Sequence, residues 1–336
     1  VYLSRINRQP SCPPATPRNA TMAALALNTT GLVAARLPRK ASRGTTGRRS
    51  LVTRAAGADD DEKPTARSVL SFLCPLLKVF GGGDAAAPRN RTLEVATSGF
   101  ASIARLPFGS KVDEACIARP AGAVPKEPII LYEFEACPFC RRVREALSQL
   151  DLTVEVRPCP KDAVKHRTEV EAMGGKLTFP FLVDPNTEAG EGGLYESEDI
   201  CRYLYATYGN GAEFPEGIIS TTVLTGWMPT LLRAGRGMTR YANATTHAAA
   251  ADLKPLTLYN YEGNQFARLA REALCELELP YTLFNCGKGS PKRATLTDVA
   301  GEGASVPYLV DPNTGKNVGE SEEIVAYLFK TYGGAA

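Results

Sequence analysis

The chain has 336 residues, 44% hydrophobic and 22% charged, with a formal net charge of +3; it suits about two domains of ordinary size plus extensions. The charge is unevenly placed, because no Asp or Glu precedes Asp59 whereas ten Arg or Lys do. The remainder is acidic, which excludes the basic field that nucleic-acid binding needs, and no run of 18 apolar residues offers a membrane-spanning helix.

Residues 1–63 read as a targeting segment with a disordered extension. Met22 is the expected translational start, and the stretch behind it is rich in Arg, Ser, Thr and Ala and free of acids as far as Asp59. VTRAA, at 52–56, resembles a plastid processing site, which predicts a chloroplast address, with the mitochondrion as the alternative. A basic tail kept in the mature protein is the plainer reading. Residues 64–127 form a helical prelude or linker. Its most apolar part, SVLSFLCPLLKVF at 68–80, has the length of a core helix or of a segment lying on a membrane surface such as the thylakoid.

A duplication follows. PIILYEFEACPFCRRVREAL begins at Pro128 and PLTLYNYEGNQFARLAREAL at Pro255, 127 residues later. The same offset pairs Cys159 with Cys286 and PFLVDPNT at 180–187 with PYLVDPNT at 307–314. The second copy then runs three residues shorter, so that Glu196-Ser197 answers Glu320-Ser321. TSGF at 97–100 and LTGW at 224–227 extend the match upstream. So long a period marks a duplicated domain, each copy expected to bury its own core. The copies occupy 128–209 and 255–333, joined by 210–254, a linker apolar enough to dock as helix.

Within each copy the patterning predicts β-α-β-α-β-β-α, a small mixed sheet with helices on both faces. In the first, 129–134 is a β-prone run. Phe139, Val143, Leu147 and Leu150 then recur at helical spacing, with Arg141, Arg142, Arg144 and Glu145 on the expected solvent side. A strand at 153–157, a polar helix at 161–173 closed by Gly174-Gly175, short strands at 181–184 and 194–195 and a helix at 197–208 complete the unit.

This layout puts Cys137 after a strand and at a helix start, three residues before Cys140. Unpaired N–H groups and the positive end of the helix dipole favour a thiolate there, and Pro138 suits the first helical position. Arg141 and Arg142 assist, while Glu133 and Glu135 oppose. Cys137 is the expected nucleophile and Cys140 the deeper, resolving thiol. The plainer readings are an unreactive pair or half of a metal set; with two histidines in the chain, His166 and His247, no metal is expected. Cys159 and Cys286 read as buried fillers and Cys201 and Cys275 as core.

CPFC after a strand, TFPF some forty residues on and YES opening the last helix resemble the glutaredoxin-like N-terminal domain of glutathione S-transferases, in the thioredoxin superfamily. From about Ser68 the whole chain is similar to plastid thioredoxin-fold proteins carrying two such domains. The fold class is therefore α/β, two tandem thioredoxin-like βαβαββα domains of glutaredoxin or transferase N-terminal type with helical preludes. The resemblance implies a cis Pro180 facing the nucleophile, with the Phe179 backbone pairing the cysteinyl part of glutathione. It also implies that Glu196 and Ser197 hold the γ-glutamyl end; for Ser197 an ordinary helix cap is the plainer reading. Lys161, Lys165 and Lys176 are candidates for the glycyl carboxylate. The expected function is a plastid glutathione-linked thiol-disulfide oxidoreductase. Glutathione is its co-substrate and proteins bearing thiols or disulfides are its partners. The alternatives are a glutathione S-transferase-like enzyme, although no all-helical segment follows the second copy to form an apolar pocket, and a non-catalytic tandem scaffold at the thylakoid.

The second copy has Asn264 and Ala267 where the first has its cysteines, which excludes thiol exchange there. Asn264 reads as a helix cap; an unreactive glutathione-like ligand is the sharper alternative.

Overall fold

The structure, a computed structural model, describes residues 90–244 and 252–334. The targeting segment, Met22, the apolar stretch 68–80 and His247 lie outside the described residues. Among the described residues the first helix is α1 (Arg91–Ile103), followed by the short α2 (Glu114–Ile117). The first copy then runs β1 (Ile129–Glu133), α3 (Pro138–Gln149), β2 (Val154–Pro158), α4 (His166–Gly174), β3 (Phe181–Val183), α5 (Glu188–Glu191) and α6 (Ser197–Tyr208). The described residues of the join include the short helices α7 (Gly217–Ser220), α8 (Thr222–Thr225) and α9 (Met228–Leu232). The second copy contains β4 (Leu256–Asn260), α10 (Gln265–Glu276), β5 (Tyr281–Asn285), α11 (Arg293–Ala300), β6 (Tyr308–Asp311), β7 (Lys316–Gly319) and α12 (Ser321–Tyr332). The expected fourth strand of the first copy shrinks to a single bridge between Leu182 and Leu194.

The two copies share one seven-stranded sheet, in the order β3-β1-β2-β5-β4-β6-β7. β1 pairs with β2 and β4 with β5 in parallel, while the seam is the antiparallel pair β2–β5, Val154 facing Leu283 and Val156 facing Tyr281. Alternation along the strands separates the two faces of the sheet. Ile129, Leu131, Val154 and Val156 pack with residues of α3 and α6, and this core continues without a break into Leu256, Leu258, Leu274 and Leu328 of the second copy. On the opposite face Tyr132, Cys159, Val170 and Phe181 cluster under α4, and Tyr259, Cys286 and Leu296 under α11. Each copy was expected to bury its own core; the main one spans both.

The seam also overturns one sequence expectation. Arg141, Arg142, Arg144 and Glu145 are buried, because α6, α7 and α8 cover α3, Glu145 pairs with Arg105, and Arg141 and Arg144 face Glu262 across the seam. Arg144 reaches Glu133, Glu135 at 3.1 Å and, across the seam, Glu262 at 2.8 Å. Its counterpart Arg271 reaches Glu135 at 3.1 Å and Glu262 at 2.9 Å. Each half thus supplies guanidinium groups to the carboxylates of the other. A charge without such partners would not remain ionised in the interior.

The preludes are exchanged between halves. α1, which precedes the first copy, packs on α9 and α10 of the second half. It does so through the small residues Ser98, Gly99 and Ala101, with the Ser98 hydroxyl donating to the Gln265 carbonyl at 2.6 Å. α7 and α8, which precede the second copy, pack on α3 of the first. Two parallel bridges repeat the exchange, Lys111 with Lys288 and Lys161 with Thr239.

The repeated VDPNT turns are locks. The buried Asp184 carboxylate accepts from the Tyr203 and Tyr208 hydroxyls of α6 at 2.7 and 2.6 Å. Asp311 does the same with Tyr327 and Tyr332 of α12, both at 2.6 Å. Burial pushes both carboxyls up, but these hydrogen bonds outweigh it and hold them below the ordinary value.

Arg271→Met should lose about 3 kcal/mol of stability in chemical denaturation, because it removes one of the guanidinium groups that neutralise the buried Glu135 and Glu262 and leaves Arg144 to serve both. Asp184→Asn should lose about 1.5–3 kcal/mol. Since the folded-state values of Asp184 and Asp311 are depressed, their contribution is complete above about pH 4 and disappears as pH falls through the folded-state values. Denaturation midpoints measured from pH 7 to pH 3 should fall less steeply in Asp184→Asn than in the parent chain.

Candidate functional site

β1 ends in the core, and the chain turns directly into α3, so the residue at the turn is placed by two buried elements. That residue is Cys137, the N-cap of α3, with φ −74° and ψ 122°. Its sulfur accepts from the Cys140 backbone N–H at 3.4 Å, and Pro138 follows within the first turn, where its missing N–H costs nothing. Both cysteines are free and buried, Cys140 completely and Cys137 with 2% of its surface exposed.

Burial pushes the Cys137 thiol up, but the Cys140 thiol and the backbone N–H groups of Cys140 and Phe139 outweigh it and bring the pKa below the ordinary value. For Cys140 burial has the same sign and the bond to Cys137 adds to it, so that thiol is raised well above the ordinary range. The two sulfurs are driven apart, one toward thiolate and one toward thiol. Glu133 opposes ionisation of both. The acids before the dithiol are nevertheless turned away to the seam, where Glu133 pairs with Arg144 and Glu135 with Arg144 and Arg271.

Cys137 opens into a cleft of about 310 Å³ that also collects Phe134, Phe139, Arg167, Leu177, Thr178, Phe179, Pro180, Glu196 and Ser197. Five of the six site residues expected from sequence therefore meet there, with Cys140 behind Cys137. The Phe179–Pro180 peptide is cis, as is Val306–Pro307 in the second copy. Ser197 is the first residue of α6, not its cap. The cap position falls on Glu196, whose φ of 60° is left-handed, and Glu320 repeats it at 56°.

The cationic wall is Arg167, which sequence reasoning missed. Its Nε donates to the carbonyls of Cys159 and Pro160 at 3.3 and 2.8 Å, and its guanidinium lies 5.0 Å from the Phe179 ring centre. Lys161, Lys165 and Lys176 do not line the cleft: Lys161 is bridged to Thr239, and the Lys176 ammonium lies 6.0 Å from the Tyr195 ring. The helix expected at 161–173 puts Arg167 at its middle, among other cations, so no local signal marked it; the observed helix starts at His166. Phe139, expected in the core, lies at the rim and meets Trp227 edge-on at 6.3 Å.

The second copy keeps the frame and fills the reactive position. The Asn264 side-chain oxygen accepts from Phe266 and Ala267 N–H at 2.9 and 2.8 Å, so it caps α10 as expected. Its amide donates to the Val306 carbonyl, beside the second cis proline, at 3.4 Å. The remaining cysteines among the described residues are buried, and desolvation raises the thiols of Cys116, Cys159, Cys201, Cys275 and Cys286.

Replacing Cys140 by Ala removes one of the hydrogen bonds that lower the Cys137 thiol. In Cys140→Ala the pH midpoint for alkylation of Cys137 should therefore move upward relative to wild type; an unchanged midpoint would show that the backbone N–H groups alone set it.

Comparison with protein families finds the same duplication. The model of the family described as glutathione S-transferase, N-terminal domain, matches residues 131–212 and again 258–336. Among solved structures, a glutathione transferase of Bombyx mori is 26% identical over 25% of this chain, with a TM-score of 0.21. The match covers 38% of that chain, well under half its length. No curated protein matches. The chain thus carries two glutathione S-transferase N-terminal domain segments in tandem, both built on a thioredoxin-like α/β pattern.

Proposed function

We propose that the protein is a glutathione-linked thiol-disulfide oxidoreductase of glutaredoxin type, with Cys137 as nucleophile and Cys140 as resolving thiol. The observation that carries this reading is a helix-start thiol of lowered pKa facing a cis proline, in a cleft that also gathers Glu196, Ser197 and Arg167. Glutathione has ends that suit these groups. Its γ-glutamyl ammonium and carboxylate fit the Glu196 carboxylate and the Ser197 hydroxyl at the start of α6. Its cysteinyl backbone fits the Phe179 backbone before the cis proline, and its glycyl carboxylate fits the Arg167 guanidinium.

In the first step the Cys137 thiolate attacks the glutathione sulfur of a mixed disulfide. That S–S bond breaks, a bond from Cys137 to glutathione forms, and the substrate leaves as a thiolate that takes a proton from water. Cys137 is freed when its mixed disulfide is attacked by the thiolate of a second glutathione, giving glutathione disulfide. The net change exchanges one thiol for another: the substrate sulfur is reduced to a thiol, the sulfur of the incoming glutathione is oxidised into glutathione disulfide, and the proton that glutathione gives up balances the one the substrate thiolate takes. Alternatively the Cys140 thiol loses its proton and attacks the Cys137 sulfur, releasing glutathione and leaving an internal disulfide. The raised pKa of Cys140 keeps it protonated while Cys137 reacts.

The substrates in this reading are proteins carrying mixed disulfides, and the compartment is the plastid, on the acid-free composition of residues 1–58 and the VTRAA at 52–56. A glutathione S-transferase reaction is the second reading, favoured by the apolar rim of Phe134, Phe139 and Leu177, with Trp227 against Phe139.

Reduction of a glutathionylated peptide by glutathione should vanish in Cys137→Ser and persist in Cys140→Ser. Wild-type rates in Cys137→Ser would overturn the reading, and wild-type protein that conjugates glutathione to an apolar aryl halide without reducing disulfides would establish the second.

A further inference from the structure

The half without cysteines reaches into the cleft of the half that has them. α4, whose second residue is Arg167, begins at a cap position occupied by Lys165, which offers no side-chain acceptor. The N–H groups at a helix start have no partner within the helix, and burial makes their neglect costly. Here the acceptor comes from the other copy. The Glu278 carboxylate, itself completely buried, accepts from the backbone N–H of Val164 at 3.0 Å, Lys165 at 2.8 Å and His166 at 3.3 Å. Glu278 follows α10 with a left-handed φ of 55°, a backbone that a non-glycine residue adopts only when its surroundings hold it.

The same strand of chain is held a second time. Arg240, in the segment leading into the second copy, donates its N–H to the Lys161 carbonyl at 2.8 Å, and the Lys161 N–H donates to Met238 at 2.7 Å. The Arg240 guanidinium lies 3.2 Å from the Glu278 carboxylate. The loop and first turn before Arg167 are therefore gripped from the second half by a carboxylate and by a short backbone pairing.

We propose that Glu278 is a positioning residue for the dithiol cleft: it fixes the start of α4 so that Arg167 stays over Phe179 at the cleft wall. The kinetic consequence rests on the oxidoreductase reading above. Loss of the brace frees the Arg167 guanidinium from its place and weakens glutathione binding, while Cys137, on another helix, keeps its low thiol pKa. The duplication supplies an internal control. Asp151, which matches Glu278 at the 127-residue offset, braces in the opposite direction: its carboxylate accepts from the Asn285 amide at 2.7 Å and the Ser290 hydroxyl at 2.9 Å, both in the copy without the cysteine pair.

Glu278→Ala and the milder Glu278→Gln, which keeps a carbonyl acceptor, should raise KM for glutathione by about two- to thirtyfold, Ala more than Gln, with the Cys137 alkylation midpoint unchanged. Asp151→Ala should lower the melting temperature without that change in KM. In a double-mutant cycle, Glu278→Gln should add little to Arg167→Ala. Equal effects of Glu278→Gln and Asp151→Ala on KM, or full additivity with Arg167→Ala, overturn the proposal. Amide hydrogen exchange separates it from the oxidoreductase reading. Faster exchange at residues 164–167 in Glu278→Gln supports the brace even in a protein that does not turn over glutathione, and unchanged exchange there overturns it.

Discussion

The antiparallel pairing of β2 with β5 is the constraint on which the rest of the molecule depends. Three residue pairs join two edges that would otherwise present unpaired N–H and C=O groups to solvent. Once those edges meet, the helices that follow β1 and β4 must lie side by side on the same face of the sheet. Their facing sides carry Arg141, Arg144, Arg268 and Arg271, and these have to be neutralised where they are. Glu135 and Glu262, matched across the duplication, provide the opposite charges, each partly to the other half. The seam is therefore polar at its centre and apolar around it. Taking these charges out of water costs about as much as their mutual attraction returns, so the ionic centre by itself adds little to stability.

The exchanged preludes follow from the same geometry. A helix that precedes one copy finds its packing surface on the other, and the bridges at Lys111 and Lys161 repeat the arrangement. This reciprocal swap is what two associated copies of a single domain would show, here contained in one chain. It gives a physical reason for the second copy to keep its frame after losing sulfur. Its cis Val306–Pro307 bond, its left-handed Glu320 and its capped α10 maintain the shape of a half whose edge strand, carboxylates and linker the first half uses. Asn264 takes over the capping role that a cysteine sulfur fills in the first copy, and its amide turns toward the neighbouring carbonyl.

In the candidate site, what local spacing could reach was legible. Cys137 follows a strand and opens a helix, and that placement alone implies a depressed thiol pKa. Pro180, Glu196 and Ser197 were found from their motifs, and the fold brings all three to the same cleft. Arg167 was not legible because nothing in its sequence neighbourhood says which way the side chain turns. It lies on a polar helix among other cations, and three lysines were equally plausible. Its orientation is decided by carbonyls at Cys159 and Pro160 and by the Phe179 ring, contacts that exist only after the chain has folded.

The duplication, the order of strands and helices apart from the fourth strand and the short α5 of the first copy, the absent second dithiol and the capping role of Asn264 were determined by sequence alone. Each depends on periodicity or on neighbours a few residues away. Continuity of the sheet, the exchange of preludes and the burial of four arginines were decided only by tertiary structure. The reason is the same in each case. Arg144 and Arg271 sit on helix faces that look solvent-facing by pattern, because an isolated charge belongs in water. Each takes part of its counter-charge from its own half and part from a carboxylate more than a hundred positions away, and a local pattern carries no record of a counter-charge supplied by the other half.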